Sequence, residues 1–230
     1  MNKTLIAATV MSVVAVSTSA AILVGTADAA VSKVSTASAQ PASTGVEAAS
    51  VEYMKRTVLS PDGKIVNVQE DWQDTKASRY KGVLTTPSGD DPDNLITTVE
   101  IMNGKQGVSY RKDSDGKIIE GAKHTHPQAS KPISIFAIEK ERYTRQEWKN
   151  QEKVTENGVT YTKLTKTYTS VGTKYKENIF LNQSGLPVKG TIFTIKGGKS
   201  TLLFKVNYQY DKLKADNALF DVDSVKLPEK

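Results

Sequence analysis

The sequence predicts a mainly β protein of the α+β kind: a curved antiparallel sheet or half-open β-barrel with one or more packed helices. Three observations predict it. Short apolar–polar alternations recur from residue 51 to residue 210, broken at close intervals by turn pairs such as Asn103-Gly104, Asp115-Gly116 and Gly197-Gly198. One longer stretch, Ile133 to Asn150, carries its apolar residues at helical spacing. There is no cysteine, so an apolar core must hold the fold without disulfides. A domain of about 180 residues can supply one, since it buries roughly 70% of its unfolded surface.

The N-terminus has the layout of a cleavable export signal. Met1, Asn2 and Lys3 form a short positive start, Leu5 to Val16 an apolar run, and Ala27-Asp28-Ala29 a small-x-small cleavage site before Ala30. Ser12, Ser17, Thr18 and Ser19 interrupt the apolar run, and no stop-transfer charge cluster follows it, which favours cleavage over a retained anchor. Residues 30–50 are small, polar and without period, as in a flexible tether. The organisation expected is therefore an export signal at 1–29, a tether at 30–50 and one β domain at 51–230. No transmembrane segment is expected after cleavage. Without cysteine the chain cannot carry a lipoprotein's lipid, and it is unlike a small disulfide scaffold; an exported bacterial protein fits.

Within the domain, Arg56 to Leu59 is a strand that runs into the turn Ser60-Pro61-Asp62-Gly63. Val66, Val68 and Trp72 share one parity and belong on one face of the next strand. Arg79 to Thr85 is a further strand, and Pro87 to Asn94 a polar loop. Leu95, Thr97, Val99 and Ile101 alternate into Asn103-Gly104, which suits a type I′ hairpin, so residues 95–120 form a three-stranded meander. In the helical stretch, Phe136, Ile138, Tyr143 and Trp148 are the candidate apolar stripe, with Pro132 at an early helical position. The last third is β again, and Leu202, Phe204, Val206, Tyr208 and Tyr210 give its cleanest alternation. Each such side chain contributes about 1.5–3 kcal/mol if fully buried. Something must therefore cover that face: a helix, the sheet curling on itself, or an apolar ligand.

Sites for chemistry are few. Net charge is +6, from 31 basic and 25 acidic residues, with the basic residues scattered rather than striped, so no nucleic-acid partner is expected. Plain solubility explains this balance; attraction to anionic lipid or wall polymer is the other reading. Gly197-Gly198-Lys199-Ser200 lacks the first glycine of a phosphate loop, since Phe193 stands there, and a strand follows rather than a helix. His124 and His126 have no carboxylate or cysteine nearby in sequence. Asp113-Ser114-Asp115-Gly116 departs from a calcium loop at Ile118 and His124, and Asp90, Asp91 and Asp93 suit a solvated loop. No Gly-x-Ser-x-Gly elbow occurs. No metal, no cofactor and no catalysis are expected.

The stretch from Lys176 to Lys189, with Gly185-Leu186-Pro187 at its turn, resembles an element of the outer-membrane lipoprotein carrier (LolA-like) and envelope-stress regulator superfamily. The likeness continues through the alternating strand ending at Tyr208-Gln209-Tyr210 and through Asp216-Asn217-Ala218-Leu219-Phe220. It is good over 175–221 and only permissive over 52–150; the family's opening helix is not evident. The export signal and tether are similar to those of a Gram-positive secreted protein. The resemblance implies a half-open barrel with helices as a lid in its concave side, and a concavity that accepts acyl chains.

The expectation is a non-enzymatic, extracytoplasmic binding protein, a carrier or envelope sensor that holds a lipid or lipidated ligand against Ile179, Ile192, Leu202, Phe204, Val206, Tyr208 and Tyr210. The alternative is an interaction or structural module with a filled core, whose partner is a cell-envelope protein or an anionic polymer.

Overall fold

In the computed structural model the described residues are 50–229, except 90, 130–132, 146 and 149. The export signal, all but the last residue of the tether, Asp90 and Pro132 lie outside them. Eleven strands occur: β1 (Val51–Leu59), β2 (Ile65–Asp74), β3 (Arg79–Ser88), β4 (Asp91–Asn103), β5 (Gln106–Lys112), β6 (Ile118–Thr125), β7 (Asn150–Glu156), β8 (Val159–Ser170), β9 (Thr173–Leu181), β10 (Pro187–Lys196) and β11 (Lys199–Leu213). Among the described residues one helix, α1 (Ile135–Arg142), lies between β6 and β7, and a single 3-10 turn spans Ala218–Phe220.

The strands form one curved, unclosed antiparallel sheet in the order β6-β5-β4-β3-β2-β1-β11-β10-β9-β8-β7. Local hairpins make every pairing but one. The exception joins the first strand to the last, with Val51 opposite Leu213 and Val58 opposite Val206. This topology dictates where the helix goes. β6 and β7 are the two edges, about 48 Å apart along the sheet at about 4.8 Å per strand spacing. The chain between β6 and β7 connects these two edges, and α1 with the turn after it lies on one face of the sheet.

Each face is covered over part of its width. Paired residues in a ladder point the same way and neighbours along a strand point opposite ways. On one face of β1–β5, Val51, Val99, Ile101, Val108 and Tyr110 pack against Phe220 and Val222 of the C-terminal segment, with Trp72, Val83, Ile118, Leu219, Val225 and Leu227 around them. Val68 and Trp72 share this face, as the alternation predicts, and Trp72 is half-buried. On the opposite face, Tyr143 and Trp148, from the end of α1 and the turn after it, pack on Leu164, Ile179 and Leu181, with Tyr208 against them.

The elements depart from the sequence reading in the following respects. The helix is much shorter than Ile133 to Asn150: Ser134 caps its start, the backbone N–H of Tyr143 closes its end, and β7 begins at Asn150. Its buried residues are Ile135 and Glu139, one turn apart, whereas Ile138 is exposed. Pro87 to Asn94 is mostly strand, because β3 runs to Ser88, which pairs with Asp91 of β4. The β4–β5 loop is Gly104-Lys105, flanked by the pair Asn103–Gln106, and only Gly104 has positive φ (+62°), so it is not a type I′ Asn-Gly turn.

Candidate functional site

The site is the seam where residues 134–148 lie on the middle of the sheet. It starts from β1. Glu52 is buried, and its carboxylate accepts from the Ser134 hydroxyl (2.8 Å) and from the Phe136 backbone N–H (3.2 Å). The Ser134 oxygen in turn accepts from the Ala137 N–H at 3.0 Å, the ordinary N-cap bond. The helix is thereby anchored to the first strand at its start. The Phe136 ring then meets that of Tyr210 of β11 edge to face, ring centroids 5.4 Å apart.

One turn on, Glu139 points into the sheet and is only 2% exposed. Its Oε1 pairs with Arg142 Nη1 at 2.9 Å, and its Oε2 has no hydrogen-bond partner among the described residues. Below it the sheet presents polar residues: Arg56 of β1 with Gln69 opposite, and Asp71 of β2 opposite Met54. Asp71 accepts from the Tyr80 hydroxyl and from Gln69 Nε2, each at 2.7 Å. Burial pushes the Asp71 carboxyl above the usual carboxylate range, against the bonds from Tyr80 and Gln69 and the charges of Arg56 and Arg142. Burial also pushes Glu139 up, opposed by Arg142 and Arg56 and reinforced by Asp71. Two carboxyls and two guanidinium groups thus share one low-dielectric space, a charge-balanced set.

Three tyrosines wall it. The Tyr143 and Tyr208 hydroxyls are 3.4 Å apart, and the Tyr208 and Tyr210 rings are parallel with centroids 6.5 Å apart. Burial raises all three phenols above their ordinary value. Beneath the helix, Arg56 Nε and the Tyr210 hydroxyl are buried with no hydrogen-bond partner among the described residues, as is Trp148 Nε1 farther along. Buried polar atoms left without a partner cost about 1–3 kcal/mol each.

Beyond Tyr208 the same face turns apolar. The register sets Val58, Val206, Gly190, Ile179 and Leu164 in one row across five strands. Ile179 lies over Gly190, where a Cβ would come within 2.6 Å of its Cδ1, so glycine is needed for the approach. The next row is Phe204, Ile192, Glu177 and Lys166. Lys166 bridges Glu177 (3.3 Å) and Glu147 (3.6 Å) and sits 4.4 Å from the Trp148 ring.

Six of the seven residues expected to line an apolar concavity therefore share the helix-side face: Ile179, Ile192, Phe204, Val206, Tyr208 and Tyr210. The first four are buried and the two tyrosines half-buried. Leu202 does not join them. A register shift between β10 and β11 sets Phe204 opposite Ile192 but Leu202 opposite Phe193, so the alternation breaks there. The face is also not uniformly apolar, because Arg56, Gln69, Asp71 and Glu139 occupy its middle. Sequence reading missed these four; the only available signal was the spacing of Gln69 and Asp71 at the parity opposite Val66, Val68 and Trp72.

The other candidate motifs have local roles. Asp113 Oδ1 accepts from the backbone N–H groups of Asp115 and Lys117, ordering the β5–β6 turn. Asp91 Oδ1 accepts from the Asp93 N–H. Gly197-Gly198 is the turn between β10 and β11. The His124 and His126 rings meet edge to face at 4.9 Å. Among the described residues no group of three His, Cys, Asp or Glu is placed to hold a metal ion, and no helix is long and apolar enough to cross a membrane.

No family model matches the sequence, and no curated protein matches it. Among solved structures, one chain of the Pseudomonas aeruginosa MucA/MucB complex is similar over 78% of this chain and 59% of its own length. The sequence identity is 16% and the TM-score 0.37. A likeness that low carries no argument about function.

Proposed function

We propose that this protein is a non-catalytic, extracytoplasmic binding protein that holds an amphipathic ligand with an acyl chain between its sheet and the 134–148 segment. The ligand's chain lies along Ile179, Ile192, Phe204 and Val206, and its polar head lies toward Arg56, Glu139 and Tyr210. The observation that carries this reading is the seam itself. A buried apolar strip runs into a polar patch in which Arg56 Nε, Glu139 Oε2 and the Tyr210 hydroxyl have no hydrogen-bond partner among the described residues. The cover above it is one short helix and a turn, docked through Glu52, Phe136, Arg142 and Tyr143. The export signal read from residues 1–29 and the resemblance to lipoprotein carriers over 175–221 point the same way.

The test uses protein extracted with organic solvent and refolded, titrated with a dansyl-labelled fatty acid and with a monoacylglycerol competitor. Saturable binding of one probe per chain, weakened at least tenfold by Val206→Trp, is expected. Absence of saturable binding by folded protein would remove the acyl ligand and leave the filled-core interaction module, which the burial of Ile179 and Ile192 beneath the chain's own residues supports.

A further inference from the structure

The face of β8–β11 that points away from α1 is covered by no helix and no tail among the described residues. Its membership follows from the register. Leu164 and Ile179 lie under Tyr143 and Trp148, so their neighbours Lys163 and Phe180, which pair with each other, point outward. One outward row is Lys163, Phe180, Lys189 and Asn207; the next is Thr165, Asn178, Thr191 and Lys205. A third holds Thr167, Lys176 and Phe193, and a fourth Thr169, Lys174 and Ile195.

We infer that this outward face docks an extended, hydroxyl-rich polyanion, a polymer of phosphodiester-linked polyols or sugars. Charge complementarity is the first argument. Lys163, Lys174, Lys176, Lys189 and Lys205 point outward, and no outward position of β8, β9 or β10 is acidic. Edge strand β7 supplies Glu152 and Glu156, already engaged by Lys163 and Lys189. Asp211, at the far end of β11, accepts from Gln209 at 3.0 Å. Lys174 and Lys176 form no ion pair among the described residues, and Lys205 donates only to the Pro61 carbonyl, 3.2 Å away. Rows lie about 6.8 Å apart along the strands, so the free ammonium groups form a spaced array rather than a point site.

The second argument selects a polymer over a membrane. Surface-bound proteins push large apolar side chains into the acyl boundary. Here Phe180 is half-buried and capped, with the Lys189 ammonium 4.7 Å from its centroid and 5.1 Å from that of Tyr161. Between the lysines runs a hydroxyl–amide ladder: Thr165 donates to Asn178 Oδ1 at 2.9 Å, and Asn178 Nδ2 donates to Thr191 at 3.2 Å. Threonine, asparagine and glutamine around free cations suit hydroxyls and phosphates lying across a flat sheet. The surface is opposite the acyl-ligand seam and does not depend on it.

The experiment measures binding of the purified protein to immobilised poly(glycerol phosphate), with dextran as the uncharged control and phosphatidylglycerol vesicles as the membrane arm. Binding should weaken at least about tenfold between 50 and 200 mM salt, as counterion release requires for about three phosphate contacts. The K174E/K176E/K205E variant should lose at least tenfold in affinity, while K105E/K117E/K123E, with the same charge change on exposed positions elsewhere, should lose less than twofold. K174Q/K176Q/K205Q serves if the first variant does not fold. Equal loss in both triple variants, no binding to poly(glycerol phosphate) at low salt, or tighter binding to the vesicles than to the polymer would each overturn the inference.

Discussion

Glu52 ties the helix to the sheet through Ser134: the carboxylate of the first strand accepts the hydroxyl of the residue that caps α1, at 2.8 Å, and the Phe136 N–H beside it at 3.2 Å. An eight-residue helix has little intrinsic stability, so its position depends on such anchors. Glu52→Ala should cost about 1–2 kcal/mol of global stability. It should also speed amide exchange across 134–148 while leaving β1–β3 protected. Unchanged exchange in the helix would show that Phe136 and Tyr143 suffice to hold it.

The buried carboxyls give the seam a pH dependence with a defined sign. Asp71 and Glu139 both have raised folded-state values, so the folded protein binds protons that the unfolded chain has released. Their contribution is most favourable below about pH 4, near the unfolded values, and declines as pH rises through the raised folded ones. Asp71→Asn mimics the protonated form. In urea titrations, the stability difference between variant and parent should move in the variant's favour from about pH 4 to pH 7. A difference independent of pH would show that Asp71 does not titrate in that range.

Asp74 has the opposite sign. It is fully buried at the end of β2 and pairs with Arg79. Arg79 also donates to Asn217 at 2.6 Å and lies over the Phe220 ring, 5.0 Å from its centroid. Burial alone would raise the Asp74 carboxyl, but the bonds from Arg79 and from the Lys76 and Ala77 N–H groups outweigh it, and the net shift is downward. The stabilisation is complete above about pH 4 and is lost as pH falls through the lowered folded value. Asp74→Ala should cost about 3–5 kcal/mol at neutral pH, because it strands a partly buried guanidinium. Phe220→Ala should cost a similar amount through the cavity it opens. Thermal denaturation of both variants at pH 7 checks this.

The β8–β9 turn carries a residue ill suited to it. Val171 has φ of +46° and is 80% exposed, so it bears left-handed strain with no packing in return. The β7–β8 turn solves the same problem with Asn157-Gly158, Asn157 at φ +50°. Val171→Asn should therefore raise stability by about 1 kcal/mol, read as an upward shift in denaturation midpoint. A lower midpoint would place the strain elsewhere.

The strands and most of the turns were legible because alternation and Gly, Asn and Asp pairs act locally. The seam was not. Asn67, Gln69 and Asp71 are the more deeply buried parity of β2, although Val66, Val68 and Trp72 supply its apolar parity. Polar side chains can be buried here because their partners, Tyr80 and the charges of Arg56 and Arg142, come from other elements, which no window of sequence shows. Glu139 is hidden in the same way: a charged helix side chain is ordinarily solvated, yet α1 buries it together with Ile135. Leu202 was misplaced because a one-residue register shift leaves no trace in an alternating pattern.

The pairing of the first strand with the last has a consequence for how the molecule assembles. Each flank of the sheet is a chain of hairpins and can organise as soon as its own residues are available. The ladder from Val51 to Leu59 must wait for residues 205–213, in the last strand among the described residues. Until then β1 offers an unpaired backbone edge in the centre of what will become the sheet, beside an unfilled Phe220 socket. A chain synthesised from its N-terminus onward is therefore most vulnerable to aggregation in the interval before β11 emerges.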